Sequence, residues 1–284
     1  MNLQGIRTQI DKIDFQVVDL LNERMNLGLQ IGKLKREGGY SVFAPEREEE
    51  LLKTLEERNT GPLRGTGLRA IYREILSASR ASQSKLRIVY LENERFHGFL
   101  AARVRFGASD CYRGARDWKG AIESLENDEA DVAVIPRRAL CDALIKLSAE
   151  KLFSRLLRVC GEINLDGESP DDLLESSHPI PKKEAEQFFI LTKGDEKKNT
   201  EGKSLFLFLA PKPGKLSSDF QQLVTNNGGS VKSVESVLES ETRFLCEVEG
   251  GLRWEQFTEE ALRHWGPSAR LVLLGTYPCS HIYG

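Results

Sequence analysis

Apolar residues recur at steps of three and four along the first 37 residues of the chain. This spacing predicts an amphipathic helix from Leu3 to Glu37 with one buried face, because residues three and four apart share a side of an α-helix. No proline interrupts the run, and Gly38 and Gly39 supply a stop of the kind that favours a left-handed cap. The apolar positions are Ile6, Ile10, Ile13, Val17, Leu20, Leu21, Leu27, Ile31 and Leu34.

Two more helices are expected before the periodicity changes. Pro45 stands at a first-turn position for a second helix, which begins at Glu46 and includes Leu55. A third helix is predicted from about Leu68 to Ser84. The N-terminal region is therefore expected to be all-α.

Three cations along the first helix are candidates for binding an anion. At about 1.5 Å and 100° per residue, Arg24 and Lys35 are roughly 16 Å apart along the axis and point the same way, so both side chains can reach one small anion. Arg7 lies roughly 25 Å before Arg24 and about 100° round the helix. Either Arg7 is an ordinary surface charge, or a second copy of the helix packs antiparallel and brings its own Arg7 alongside. Cations on a long helix commonly just form its solvent-exposed face. The spacing alone therefore does not decide between a binding site and ordinary surface charges.

Other polar residues complete a recognisable set. Arg47 and Glu48 open the second helix, and Ser79 and Gln83 share a face of the third. With the three cations they resemble the active-site set of the all-helical chorismate mutases, as do the phrases IRxxIDxID, LLNER, IGKLK, APERE and YREILSAS. The resemblance covers residues 1–84. It implies an intertwined three-helix homodimer in which the arginine of the first helix enters the partner's site.

The resemblance also implies a reaction, the Claisen rearrangement of chorismate to prephenate in phenylalanine and tyrosine biosynthesis. Such an enzyme must hold a folded dicarboxylate and stabilise negative charge on the ether oxygen, and it is expected to need no cofactor or metal. Gln83 donates through its amide at any ordinary pH, so activity should persist at neutral pH. Where some members carry aspartate, this chain has Ala44, so a contact to the ring hydroxyl is expected to be lost. The implied roles are carboxylate clamps for Arg7 of the partner subunit and Arg24, ether-oxygen donors for Lys35 and Gln83, positive field for Arg47, hydroxyl binding for Glu48 and carboxylate contact for Ser79.

Bulk properties narrow the possible partners. The net charge of −3 gives no hint of nucleic-acid binding. No apolar run approaches the roughly 18 residues needed to span a bilayer, and the chain enters a charged helix without a signal peptide, so a cytoplasmic protein without membrane contact is predicted. The five cysteines are widely spaced with no C-x-x-C, so neither a disulfide framework nor a zinc site is indicated.

The middle of the chain changes to strand-like runs separated by helical ones, which predicts an α/β layer with some parallel strands. The runs LRIVYL, FHGFLAARVRFG, AIESLENDEADVAVIP and VCGEI resemble the first lobe of prephenate dehydratase. That family's P-x-E-N-S motif is replaced by PRRAL at 136–140, and its catalytic T-R-F aligns with EQF at 186–188. Too few residues remain between 162 and 186 for a second lobe. Residues 85–193 are therefore expected to be a shrunken, inactive dehydratase-like domain.

Residues 194–284 are predicted to form a linker and a third domain. Residues 194–203 are polar and charged, as in linkers. Residues 204–284 predict the order βαββαβ and resemble the ACT domain that follows prephenate dehydratases and binds phenylalanine. The E-S-R-P motif of that domain is half kept, as ESVL at 235–238. An amino-acid effector is therefore possible, and a fold kept only for dimerisation is the alternative. The predicted effector residues are Pro213, Gly214, Glu235 and Ser236.

Three hypotheses follow for the whole chain. The first is a chorismate mutase whose C-terminal regions are regulatory or structural. The second is a bifunctional chorismate mutase and prephenate dehydratase, against which the missing dehydratase motifs count. The third is a non-catalytic dimeric amino-acid sensor, which would have no reason to keep Lys35, Glu48 and Gln83 together. The first hypothesis fits the residues best.

Overall fold

The computed structural model describes residues 2–40, 43–93, 96–146, 157–165, 186–194, 202–210, 218–237, 242–279 and 282–283. The chain divides into two compact units. The first, here the helical unit, comprises Met1–Leu86 and Phe106–Cys111, and the second, the α/β unit, comprises Arg87–Arg105 and Tyr112–Gly284. The domain boundaries expected after residues 84, 193 and 203 stay predictions, and most of the expected linker lies outside the described residues.

Three helices form most of the helical unit: α1 is Leu3–Glu37, α2 is Pro45–Arg58 and α3 is Gly65–Gln83. The predicted helix from Leu3 to Glu37 is confirmed. The Asn2 side chain caps its start by accepting a hydrogen bond from the Gly5 amide at 2.9 Å. Its end is set by Gly39, whose φ of +68° is the left-handed conformation that glycine tolerates best.

The apolar stripe of α1 is exposed within one chain. Ile10 is 50% exposed, Ile13 56% and Leu20 64%. The buried residues of α1 are Gly28 and Gly32, where α3 packs against it. The prediction of a buried apolar face is thus wrong for the single chain, because the described helices cover α1 at its glycines and leave its large apolar side chains in solvent.

The first sheet of the α/β unit mixes parallel and antiparallel strands. Its strand order is β11-β5-β6-β4-β1-β2, with β3 also paired to β1. Strands β1 and β4 are parallel, which confirms the predicted α/β layer with parallel strands. The elements are β1 Arg87–Asn93, β2 Phe96–His97, α4 Gly98–Phe106, β3 Cys111–Ala115, α5 Trp118–Glu126, β4 Val132–Pro136, α6 Arg137–Lys146, β5 Leu157–Leu165, β6 Glu186–Lys193 and β11 Ile282–Tyr283.

A second, antiparallel sheet of order β10-β7-β9-β8 follows. Two helices cover one face of it, and a cluster of aromatic rings around Phe206, Phe208 and Phe220 fills the space between. The element order βαββαβ is the one predicted. The elements are β7 Lys203–Leu209, α7 Ser218–Asn226, β8 Gly229–Ser236, β9 Arg243–Gly250, α8 Trp254–Trp265 and β10 Arg270–Tyr277.

A buried ion cluster links the two sheets. Lys203 Nζ lies 2.7 Å from Glu162 Oε1 and 2.8 Å from Glu247 Oε1. Arg137 Nη1 lies 3.1 Å from Glu247 Oε2 and 2.7 Å from Gln187 Oε1. The two carboxylates are nearly inaccessible to solvent, so the ion pairs with these cations offset the cost of burying their charge. The contacts of Glu162 on β5 and of Arg137 at the start of α6 with residues of β7 and β9 therefore fix the two sheets to each other.

This cluster predicts how the stability of the α/β unit depends on pH. Burial alone would raise the pKa of Glu247, but hydrogen bonds and charge from Lys203, Gln187 and Arg137 lower it below its ordinary value of 4.5. The stability that Glu247 contributes is therefore present above about 4.5 and is lost as pH falls through the lower, folded-state pKa. The pKa of Lys203 is raised above 10.5 by the two glutamates, against burial, so its contribution is lost only as pH rises through that higher value.

We expect Glu247→Gln to cost about 3 kcal/mol in the free energy of unfolding at pH 7 and to flatten the loss of stability on acidification. Urea unfolding followed by tryptophan fluorescence isolates this effect, because all three tryptophans, at 118, 254 and 265, lie in the α/β unit. Glu259→Gln is the matched control, since that carboxylate is 71% exposed. A Glu247→Gln protein that keeps the parent's acid slope would contradict the assignment.

Among the described residues, no helix has both the length and the apolar character needed to cross a membrane. The cytoplasmic location stays a prediction from the sequence.

Candidate active site

Helices α1 and α3 approach closely at two glycines. A Cβ added to Gly28 would lie 2.9 Å from Ser79 Oγ, and one added to Gly32 would lie 2.7 Å from Gln83 Cγ. The overlap at Gly32 is with inner atoms of the Gln83 side chain, so a glycine is required there, whereas at Gly28 the overlapping atom is a hydroxyl that can rotate away. Ser79 and Gln83 are four residues apart on α3 and meet glycines that are four residues apart on α1.

The predicted cations Arg24 and Lys35 flank this contact on α1. Arg24 lies one turn before Gly28, and Lys35 lies three residues after Gly32, so the helical repeat places all four on one side of the helix. Both side chains are half-buried. The structure thus brings four of the seven predicted catalytic residues, Arg24, Lys35, Ser79 and Gln83, to one stretch of the α1–α3 contact.

The Gln83 side chain is buried with part of its hydrogen-bonding capacity unused. Its Nε2 donates to the backbone oxygen of Ser79 at 3.2 Å, while Oε1 has no hydrogen-bond partner among the described residues. A buried polar atom without a partner costs about 1–3 kcal/mol, so an occupant that donates a hydrogen bond to Oε1 would stabilise this arrangement. Arg36 steadies the end of α3 by donating to the Gln83 backbone oxygen at 3.0 Å.

Glu48 is buried in the first turn of α2, where the positive end of the helix dipole favours a carboxylate. Its Oε1 lies 2.5 Å from Arg80 Nη1, and Arg80 Nη2 lies 3.1 Å from Asp110 Oδ2. Burial raises the pKa of Asp110 by more than the charge of Arg80 lowers it. Glu48 is therefore joined to the last turn of α3 by a guanidinium that neighbours Ser79 in the sequence.

The other two predicted catalytic residues lie apart from this group in the single chain. Arg47 is 71% exposed and pairs with Glu50 at 2.7 Å. Arg7 is exposed near the start of α1, about five turns before Arg24. The proposed roles of Arg47 in the electric field and of Arg7 in a partner's site stay predictions.

The predicted effector residues fall partly outside the described residues. Pro213 and Gly214 lie there, whereas Glu235 and Ser236, at the end of β8, line an open cavity of about 770 Å³ in the α/β unit. Glu235 Oε2 lies 2.7 Å from Arg137 Nε, so the guanidinium of the buried ion cluster also faces this cavity.

Sequence reasoning missed four residues that shape the site: Gly28, Gly32, Arg80 and Asp110. The two glycines had a signal, a four-residue spacing on the same side as Arg24 and Lys35. Arg80 also had one, since it directly follows Ser79 on α3. Asp110 had none, because its partner lies 30 positions earlier and the contact depends on the path of the chain between them.

The glycine contact yields a test of the site's geometry. In Gly32→Ala the new methyl group would overlap Gln83, so we expect a loss of about 1–3 kcal/mol in stability and a displaced Gln83 amide. Turnover of chorismate, the substrate that the resemblance predicts, should fall by about tenfold or more. Gly67→Ala, where the methyl group would meet only the end of the Leu63 side chain at 3.3 Å, is the control. Equal effects of the two substitutions would argue against a catalytic α1–α3 contact.

Comparison with known proteins identifies the class of the helical unit. The family model "Chorismate mutase type II" matches residues 6–84. A chorismate mutase from Helicobacter pylori, solved in complex with prephenate, is 36% identical over 28% of this chain and 88% of that chain, with a TM-score of 0.27. By the match of the family model, residues 6–84 are a chorismate mutase type II domain.

Two curated relatives extend the similarity past this domain. The bifunctional chorismate mutase/prephenate dehydratase of Aquifex aeolicus is 28% identical over 165 residues, which cover 57% of this chain and 46% of that relative. The protein of the same name from Neisseria gonorrhoeae is 30% identical over 159 residues, covering 56% of this chain and 43% of the relative. The chain is homologous to the bifunctional enzymes and spans about half the length of these relatives.

Proposed function

We propose that the protein converts chorismate to prephenate by Claisen rearrangement in aromatic amino acid biosynthesis. The observation that supports this most directly is the contact of Ser79 and Gln83 with Gly28 and Gly32, flanked by Arg24 and Lys35. Residues that are distant in the sequence converge there, and they are the donors that a folded dicarboxylate requires.

Each group has a chemical task in this proposal. The Arg24 guanidinium forms a planar fork that suits a carboxylate, and Ser79 supports the same end of the substrate. Lys35 and the Gln83 amide donate to the ether oxygen, where negative charge builds as the C–O bond breaks. Glu48 accepts a hydrogen bond from the ring hydroxyl. Arg47 adds positive field from the rim, and no cofactor takes part.

The test is a steady-state assay of the purified full chain with chorismate as the sole substrate. We expect saturable loss of chorismate at neutral pH, because the Gln83 amide donates a hydrogen bond in its neutral form and needs no change of protonation state. A rate no faster than that of chorismate in buffer would refute the proposal.

We propose that a second copy of the chain covers the apolar stripe of α1. Large apolar residues are exposed along most of the helix, from Leu3, which is 65% exposed, to Leu34, which is 66% exposed. An exposed apolar stripe of that length is unusual for a monomeric protein. An antiparallel second α1 would also bring the partner's Arg7 to the far side of the substrate, which Arg7 of the same chain cannot reach. The resulting intertwined homodimer has two shared active sites.

We propose that the α/β unit is a dehydratase-like lobe without activity followed by an ACT-like domain. The replaced motifs at 136–140 and 186–188 support the loss of activity, since Arg137 and Gln187 take part in the buried ion cluster. The βαββαβ order and the place of Glu235 and Ser236 on a cavity support an amino-acid effector site. Pro213 and Gly214, which the sequence also predicts for this site, lie outside the described residues. The alternative is a bifunctional enzyme, which the similarity to bifunctional relatives favours.

A further inference from the structure

The mutase site contains a buried salt-bridge network that extends past the end of the matched family domain. Its centre is Arg80, whose side chain is 5% exposed, and its two carboxylates are Glu48 at 9% and Asp110 at 0%. Glu48 belongs to the proposed site. Asp110 lies beyond the matched residues 6–84, in the segment Phe106–Cys111, which nevertheless belongs to the helical unit.

Arg80 uses most of its donors in fixed contacts. Nη1 donates to Glu48 Oε1 at 2.5 Å, and Nη2 donates to the Phe106 backbone oxygen at 2.7 Å. Nη2 and Nε also donate to Asp110 Oδ2, at 3.1 Å and 3.4 Å. A planar guanidinium held on several sides cannot rotate away, so it gives Glu48 Oε1 a fixed position.

The segment that supplies Asp110 is itself fastened to α3. The Ala108 amide donates to Glu74 Oε2 at 2.9 Å, and the Ser109 amide donates to Ser77 Oγ at 3.0 Å. Gly107 has a φ of +81°, and a Cβ there would lie 2.7 Å from the Ser77 side chain. Asp110 Oδ1 accepts a hydrogen bond from the Leu86 amide at 3.1 Å, so the carboxylate is held at both oxygens.

The charges explain why two carboxylates are useful. With Glu48 alone, Arg80 would neutralise the group that is proposed to accept the substrate hydroxyl. With Asp110 present, the network holds two negative charges and one positive charge, so the guanidinium is shared and Glu48 remains a strong acceptor. Removing the negative charge of Asp110 should also free Arg80 to turn towards Glu48 and shift it.

We infer that Arg80 and Asp110 are positioning residues of the mutase site, which hold Glu48 in place and preserve its strength as an acceptor for the ring hydroxyl of chorismate. This inference rests on the proposed function. It assigns part of the mutase site to residues 106–111, which lie outside the matched family domain. In the sequence, these residues stand between two stretches of the α/β unit.

The kinetic signature follows from the chemistry. The ring hydroxyl takes no part in the bond that breaks or the bond that forms, so Glu48 contacts it equally in the ground state and the transition state. Weakening such a contact raises KM and leaves kcat nearly unchanged. A loss of fold in the helical unit would instead lower kcat in proportion to the unfolded fraction.

The experiment is a double-mutant cycle in the full chain with Asp110→Asn, Glu48→Gln and both together. We expect Asp110→Asn to raise KM for chorismate about tenfold with kcat within about twofold of the parent. In the Glu48→Gln background the same change should alter KM by less than about twofold, because the residue through which it acts is already altered. Glu123→Gln, at an exposed carboxylate of α5, is the matched control and should leave both constants unchanged.

Arg80→Lys is the second variant in case Asp110→Asn does not fold, and far-ultraviolet circular dichroism checks folding of each protein. Lysine keeps the charge but not the planar fork, so it should also raise KM, and again only when Glu48 is present. An equal rise in KM in both backgrounds, or no rise in either, would overturn the positioning role. A parent that does not convert chorismate would instead overturn the proposed function and this inference with it.

Discussion

Replacing Lys35 by alanine is expected to lower kcat/KM for chorismate by about 10³-fold while leaving the fold intact. Lys35 is the cation proposed to donate to the ether oxygen, where charge develops only in the transition state, and removing one such donor typically costs 10²–10³-fold in rate. The loss should therefore fall mainly on kcat. Because Lys35 is half-buried at the end of α1 and not in a core, the change removes chemistry and little packing.

The chain contains its own control for this experiment. Lys33 is the same residue type on the same helix, two positions away and on the opposite side, and it is exposed. Lys33→Ala should keep kcat within about twofold of the parent. If both lysines proved dispensable, or both equally important, the assignment of the site to the Lys35 side of α1 would have to be abandoned.

Two inactive variants are expected to restore activity to each other when mixed. An Arg7→Ala chain lacks the residue it gives to its partner's site, and an Arg24→Ala chain lacks the one it uses in its own. In a heterodimer one site keeps both arginines and the other has neither. Random assortment makes half of the dimers heterodimers, so the mixture should regain about a quarter of the parent activity.

The measurement is kcat of the refolded mixture against each variant refolded alone, with the fraction of heterodimers verified by two affinity tags. Mixing either variant with itself is the control and should restore nothing. Verified heterodimers without recovered activity would show that Arg7 does not serve a neighbouring chain, and the antiparallel pairing of α1 would lose its main support.

The sequence predicted those features that depend on neighbours along the chain. The bounds of α1 could be predicted because the apolar spacing is local and Gly39 supplies the left-handed residue at the end of the helix. The βαββαβ order of the last third could be predicted for the same reason. The convergence of Arg24, Lys35, Ser79 and Gln83 could be predicted because it involves only two helices, whose motifs resemble those of the chorismate mutases.

The features that escaped prediction depend on contacts between distant parts of the chain. A pattern of apolar residues cannot show that the stripe of α1 is exposed in one chain, because it does not reveal which molecule covers the stripe. The ion cluster escaped because Arg137 and Glu247 are far apart in the sequence and meet only when both sheets are formed. Asp110 escaped because it looks like an ordinary loop residue until the path of residues 106–111 is known.

The central claim is that this chain rearranges chorismate and does not process the product further. The most direct measurement is a product analysis of the full chain supplied with chorismate, which separates chorismate, prephenate and phenylpyruvate over time at neutral pH, with a sample without enzyme to correct for spontaneous reaction. We predict that prephenate accumulates in step with the loss of chorismate and that phenylpyruvate stays at the level of the enzyme-free sample. Phenylpyruvate formed in proportion to enzyme would contradict the account of an inactive lobe, and chorismate left unchanged would contradict the mutase itself.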